Sequence, residues 1–413
     1  MEARAATPTA SSRAAGPVAH GPVEARRTDA SRTATPSPQP PGIGAPRPWI
    51  VRRLLDLVGD GGRIVGLDIA RGLAVLGMFA VHTGAVAGTF AWLEPGTWSE
   101  LAWGNASATF AVLAGVAVAI VAGRTRIPDG LPLLQARMRI LVRAALIFVV
   151  GGIIVALGTE LVVIIEFYAV LFAMSLPFLR MPWWGLAALG VGWILVMPQV
   201  RVLLLDGLRS AHMVDTAIVE LVLTGFYPAI TWFGYTLAGM AIGRVAIERW
   251  RVQLTILGVG IVAIAVANLV PLALAPVDDF LLAGLRGSLG TDVTSLLDPE
   301  GHAGSSFDLL GSAGVALVVI ALCLLVQRWA RWVLFPIAAI GSMSLTAYTA
   351  HAVVFLLVDG FSSDPWSWIR LSLGVAIGCT IWRALLPKGP LEWVLSAVSR
   401  AASDVSSRAV AGR

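Results

Sequence analysis

From residue 64 onward, long apolar runs alternate with short polar stretches. A helix that crosses the hydrocarbon core of a bilayer needs about 20 mostly apolar residues. The runs predict ten such helices: 64–90, 101–123, 139–157, 159–179, 183–200, 216–243, 253–276, 308–326, 333–357 and 367–387. The joint between the third and fourth, around Ala156–Thr159, is the least punctuated. The expected fold is therefore all-α, a polytopic integral membrane protein with a transmembrane domain over residues 60–395. One longer segment outside the membrane, about 277–307, is acidic and rich in glycine. Residues 1–48 are rich in Ala, Pro, Ser, Thr and Arg and lack apolar periodicity, so a disordered tail is expected there. No apolar stretch follows an early basic cluster, which argues against a signal peptide. Residues 396–413 read as a C-terminal cytoplasmic tail. No internal repeat stands out, and no helices are interrupted in matching positions of two halves.

Composition closes the other classes. Only 13% of the 413 residues are charged and 57% are hydrophobic, against about 25% charge in a soluble domain. A water-soluble globule of this composition would expose large apolar patches, so a soluble enzyme, a disordered protein and a coiled coil are excluded. The net charge of +5 invites an anionic partner until the arginines are placed. With the N-terminus in the cytoplasm, only Arg201, Arg209, Arg286 and Arg370 fall outside. Of the 30 basic residues, 26 are then on the inner side. That bias is the positive-inside rule. It predicts a multi-pass protein of the plasma membrane with both termini cytoplasmic, and leaves no case for nucleic acid. Cys323 and Cys379 lie in apolar runs, with neither a disulfide framework nor metal-ligand spacing. No phosphate-binding loop or dinucleotide fingerprint is present.

Ionisable groups at membrane depth are expensive and are candidates for function. In the first helix, Asp68 and Arg71 are three apart and His82 is eleven beyond Arg71, about three turns and roughly 16 Å. The three share one face, a polar stripe that fits a lined cavity; it also fits a local Asp–Arg pair with a histidine bonded to a neighbouring helix. In the ninth helix Ser344, Tyr348 and His351 share a face, and His351 falls at a depth similar to His82. Two histidines at one depth suit proton transfer near neutral pH, or simple helix packing. Glu166 lies inside the fourth helix, placed either to orient a histidine or to pair with Arg71 or Arg143. Asn105 opens a small-residue packing face. Tyr227, Trp232 and Tyr235 form an aromatic group with Pro228 that reads first as interfacial anchoring. Arg124, Arg126, Arg137, Arg139 and Arg143 lie within 20 residues on the inner side, where they serve topology or bind phosphates. The outer His302 reads as a surface residue.

The start of the first helix, with Arg63, Leu67, Asp68, Arg71, Gly72 and Ala74, resembles the bacterial heparan-alpha-glucosaminide N-acetyltransferase-like and YeiB-like membrane proteins. These are part of a wider group of transmembrane acyltransferases, which includes an O-acyltransferase family marked by an Arg, ten residues and a His. Arg71 and His82 match that spacing. FAVLAGVAVAI, FYPAITWFGYTLAGMAIGR, SFDLLGSAGVAL, GSMSLTAYTAH and KGPLEWVL fit the same resemblance in order along the chain. It implies transfer of an acyl group, usually acetyl, from cytosolic acetyl-CoA to a sugar or glycolipid at the outer face. The family His role falls on His82, as base or as acyl carrier, with His351 and Glu166 in support. The lysosomal member has Asn at the position of His82, so the chemistry implied here follows the O-acyltransferase pattern. Acetyl-CoA is expected as a co-substrate, its phosphates on Arg124, Arg126, Arg137, Arg139 and Arg143 and its arm along Asp68 and Arg71. No bound cofactor or metal is expected. The expected partners are acyl-CoA, the acceptor and the bilayer; monomer and homodimer both stay open. A transporter or flippase for a lipid-linked sugar, and a non-catalytic envelope assembly protein, remain as rival readings.

Overall fold

The computed structural model describes residues 63–84, 93, 95–159, 161–211, 216–289, 298–358 and 365–411. The expected tail, 1–48, lies outside them. The described residues form helices and connections, with no strand among them. In chain order the helices of eight or more residues are α1 Val65–His82, α2 Asn105–Val121, α3 Gly130–Ala156, α4 Ile165–Met174, α5 Trp183–Ser210, α6 Ala229–Gly243, α7 Trp250–Leu289, α8 Ser306–Ala330, α9 Phe335–Ser342, α10 Ser344–Leu357, α11 Pro365–Leu385 and α12 Pro390–Ala411. A 3-10 segment, Pro95–Ala102, leads into α2.

Seven of these helices are long and apolar enough to cross a membrane. Two bent pairs, Ala217–Thr224 with α6 and α9 with α10, bring the number to nine among the described residues. The protein is a multi-pass membrane protein. The expected fourth span, 159–179, is carried by α4, whose ten residues reach only about 15 Å. Most of the α1 and α2 windows is buried inside the protein, while less than a quarter is buried in α3, α5, α7 and α11. Apolar side chains such as Leu203, Leu269 and Leu272 face outward, as a lipid-facing surface requires. The first two spans and α6, in which nearly every residue is buried, are thus the core, with half of α8 buried beside them.

Several boundaries differ from the sequence pattern. The first span ends as helix at His82, with a turn at 83–84. The seventh continues to Leu289 and takes up the first part of the expected loop. Residues 390–411 form α12, so much of the expected C-terminal tail is helical. The sixth span breaks by 55° before α6. Pro228 has no N–H to give the ladder and disfavours helical backbone in the residue before it. The ninth breaks by 87° at Met343, whose φ of −135° and ψ of 45° leave the helical region. The first amides of α10 then need acceptors. The Glu392 carboxylate, from α12, supplies them: Leu345 N and Thr346 N donate to Oε1 at 2.8 and 3.1 Å, and Thr346 Oγ1 to Oε2 at 2.6 Å.

Small residues set the closest approaches, as expected where packing rather than hydrophobicity drives helix association. Gly72 of α1 lies against the Ile337 carbonyl of α9, and Gly341 of α9 against the Asp68 carbonyl of α1. A Cβ at either position would overlap that carbonyl. This backbone contact holds the Asp68–Arg71 turn beside the break that starts α10.

Candidate active site

Asp68 is 4% exposed and is answered by two arginines. Arg63 forks onto it, with Nε on Oδ2 and Nη2 on Oδ1, and Arg71 Nη1 donates to Oδ1 at 3.2 Å. A buried carboxylate stripped of such partners is strongly destabilising, so Asp68 fixes Arg71 in place. One N-terminal amide of α1 is also satisfied from afar, Gly66 N donating to Gln327 Oε1 at 2.8 Å.

At the other end of α1, His82 meets His351 of α10. His82 Nδ1 lies 2.9 Å from His351 Nε2, with ring centroids 5.2 Å apart and planes within 8°. His351 Nδ1 is bonded to the Tyr348 carbonyl. A carbonyl only accepts, so His351 Nδ1 carries its hydrogen. In a neutral ring Nε2 is then the acceptor, so His82 Nδ1 donates to it. His82 is left with its lone pair on Nε2, which has no partner among the described residues. The pair sits among Phe79, Tyr348 and Phe355; His351 is fully buried and His82 only partly.

Between the arginines and the histidines lies a cavity of about 240 Å³ whose wall includes Arg71, Arg143, Tyr168, Ser344, Tyr348 and Glu392. It reaches the histidines through Tyr348, whose ring packs edge-on to His351 at 4.6 Å and to His82 at 6.2 Å. The Tyr348 hydroxyl is buried with no hydrogen-bond partner, whereas Tyr168 donates to the Ser107 carbonyl at 2.9 Å. A larger apolar groove of about 950 Å³ runs between α10 and α11, lined by Ala347, Ala350, Val354, Leu371 and Val375 on another face of α10.

The fold brings His82 and His351 together at one end of α1 and Asp68 and Arg71 at the other. Glu166 stands apart from them, facing Gly151 and Gly152 of α3, with no ion pair to Arg71 or Arg143. The arginines of the second inner segment divide. Arg124 pairs with Glu248 at 2.7 Å, and the Arg124 and Arg126 carbonyls accept from Arg244. Arg137 is exposed. Arg139 and Arg143, one turn apart on α3, contact Ser403 and Ser399 of α12, and of these five arginines only Arg143 lines the cavity. Tyr227 and Trp232 join Trp103 and Phe226 around the half-buried ring of His302, which is not the free surface residue expected. Burial there pushes the His302 imidazole down to about 4. Among the described residues, no cluster of His, Cys, Asp or Glu could hold a metal ion.

Glu392 and the serines of α12 are site residues that the sequence pattern did not single out, and Arg63 entered only as part of the family motif. Glu392 left one trace, a carboxylate directly after the K-G-P-L punctuation. Its contact with α10 spans 46 residues or more and has no local signature.

Residues 63–269 match the catalytic domain of heparan-alpha-glucosaminide N-acetyltransferase. The chain belongs to that family. No curated protein matches it. Heparan-alpha-glucosaminide N-acetyltransferase catalytic domains mark N-acetyltransferase-type membrane enzymes, and the fold described above is consistent with that class. The matched segment of this acetyltransferase holds Asp68, Arg71 and His82, and ends before His351 and Glu392. The candidate site of this family member thus draws on helices that lie beyond the matched region.

Proposed function

We propose that the enzyme moves an acyl group, acetyl in the first instance, from acyl-CoA to a hydroxyl or amine of a sugar or glycolipid. The histidine relay carries this reading. His351 and the Tyr348 carbonyl fix the tautomer of His82 and leave its Nε2 lone pair free, the arrangement a general base needs. In the proposed step Nε2 takes the proton of the acceptor O–H or N–H as the acceptor atom attacks the thioester carbonyl carbon. The carbon–sulfur bond then breaks, and the leaving thiolate receives that proton from the His82 imidazolium. The donor occupies the Arg71 cavity from the arginine-rich, cytoplasmic end, with Arg71 held rigid by Asp68. The acceptor reaches His82 from the opposite, outer end, and both termini lie in the cytoplasm.

The test is release of CoA from acetyl-CoA by purified protein in lipid nanodiscs with a panel of amino sugars and glycolipids. His82→Ala is expected to lower kcat by about 10²–10⁴-fold. Transfer at an undiminished rate would refute the base assignment. One observation favours a second reading, transport of a lipid-linked sugar. Two spans are interrupted, and interrupted helices line alternating-access sites. Transport into liposomes without any acyl-CoA would favour that reading; acyl transfer in nanodiscs, where there is no lumen, would favour the enzyme.

A further inference from the structure

One polar group at the centre of the protein takes no part in the proton transfer by His82. The Tyr348 hydroxyl is buried and has no hydrogen-bond partner among the described residues, and the residue is 3% exposed. Burying a hydroxyl without a partner costs stability, so such a group calls for a reason. The other hydroxyls in that state belong to Thr236, Thr349, Ser372 and Thr380. None of those four residues lines the cavity that holds Arg71, and Tyr348 does. Tyr168, the other tyrosine in the cavity wall, has its hydroxyl committed to the Ser107 carbonyl at 2.9 Å.

Position narrows what this hydroxyl can do. Three aromatic rings pack on the histidine pair, those of Phe79, Tyr348 and Phe355. Of these only Tyr348 also lines the cavity. It therefore stands where a thioester that enters through the cavity meets the base. The residue is held there from two directions. Its ring is edge-on to His351 at 4.6 Å and to His82 at 6.2 Å, and its carbonyl accepts from His351 Nδ1. A phenol has one O–H to donate and keeps its proton at neutral pH. When an acceptor atom adds to a thioester carbonyl, negative charge develops on the oxygen. A fixed donor aimed at that oxygen lowers the barrier, most of all where water is excluded. A donor with no partner in the resting site has no bond to give up at that moment.

We infer that Tyr348 is the oxyanion donor of the acyl transfer, a role that rests on the acyl-transfer reading. The acceptor atom bonds to the carbonyl carbon and gives its proton to His82 Nε2. The electron pair of the C=O bond moves onto oxygen, where the Tyr348 O–H donates to it and keeps its own proton. The pair then re-forms C=O, the carbon–sulfur bond breaks with its electrons on sulfur, and the thiolate takes the proton from His82. The test uses the full-length protein in nanodiscs as wild type, as Tyr348→Phe and with 3-fluorotyrosine at position 348, at a pH where the phenol stays protonated. Tyr348→Phe removes the donor and keeps the ring. It is expected to lower kcat by about 10²–10³-fold, with the KM for acetyl-CoA, the His82 limb of the pH–rate profile and the melting midpoint unchanged. 3-Fluorotyrosine, a more acidic phenol and a stronger donor, is expected to raise kcat above wild type. An undiminished kcat in Tyr348→Phe overturns the inference, and so does a loss that appears in KM alone. If Tyr348→Phe does not fold, the two phenols decide, and equal rates for them overturn the inference. Should wild type transfer the acyl group and His82→Ala abolish transfer while Tyr348→Phe keeps the full rate, the proposed function stands and the oxyanion role falls. Should wild type acylate no acceptor, both fall.

Discussion

Tyr348 shows how one side chain can be both structural and exposed to chemistry. Its carbonyl fixes the His351 tautomer, its ring seats both histidines, and its hydroxyl is buried without a partner. Removing a hydroxyl that makes no hydrogen bond relieves a desolvation cost instead of breaking an interaction. Tyr348→Phe is therefore expected to leave the unfolding midpoint unchanged or slightly higher, measured by thermal melting in detergent. A clear drop would mean that the hydroxyl has a structural partner. At this scale the sequence was legible for groups whose type is rare at membrane depth. Asp68, Arg71, His82 and His351 stand out because an apolar chain rarely places such groups inside a bilayer. Glu166 stood out for the same reason but lies against Gly151 and Gly152. Periodicity gives a residue its helix face and not the neighbour opposite that face.

Among the elements, the α1–α9 contact decides where the site sits. Gly72 and Gly341 let two backbones touch, and interiors this tightly packed tolerate added volume poorly. Gly341→Ala is expected to cost about 1–3 kcal/mol of stability, read from unfolding in a denaturing-detergent titration, and to lower activity by tilting α9 away from Arg71. Wild-type stability would show that the helices part freely. Spans such as α2 and α8 were plain in the hydropathy pattern because each is a continuous apolar helix. The broken spans were not. An apolar run of suitable length looks the same whether it is straight or bent by 87° at Met343, since the break is stabilised by a carboxylate from another helix. The short α4 was likewise hidden inside a run of ordinary length.

For the whole molecule, lipid is the outer solvent and the first two spans with α6 are the core. In the proposed orientation both termini are cytoplasmic and residues 298–304 lie outside. A fluorescent reporter fused to the C-terminus should therefore be bright, and an alkaline phosphatase fusion at the same point inactive. The reverse pattern would invert the assignment of donor and acceptor sides. The asymmetry of arginines is readable from their positions between the apolar runs, and so the class of the protein was evident early. The gathering of α3, α12 and α1 around a shared cavity was not. Those contacts join residues more than 250 positions apart, which no local pattern encodes.

The Glu392 cap on α10 also has a consequence for biosynthesis. Residue 392 is made after every span through α11. Until then the amides of Leu345 and Thr346 lack their carboxylate, and the helix bearing His351 has no fixed start. The candidate site is therefore completed by a segment translated after all of the spans that carry its histidines. A chain that stalls or is clipped ahead of α12 would carry every span with the start of α10 uncapped.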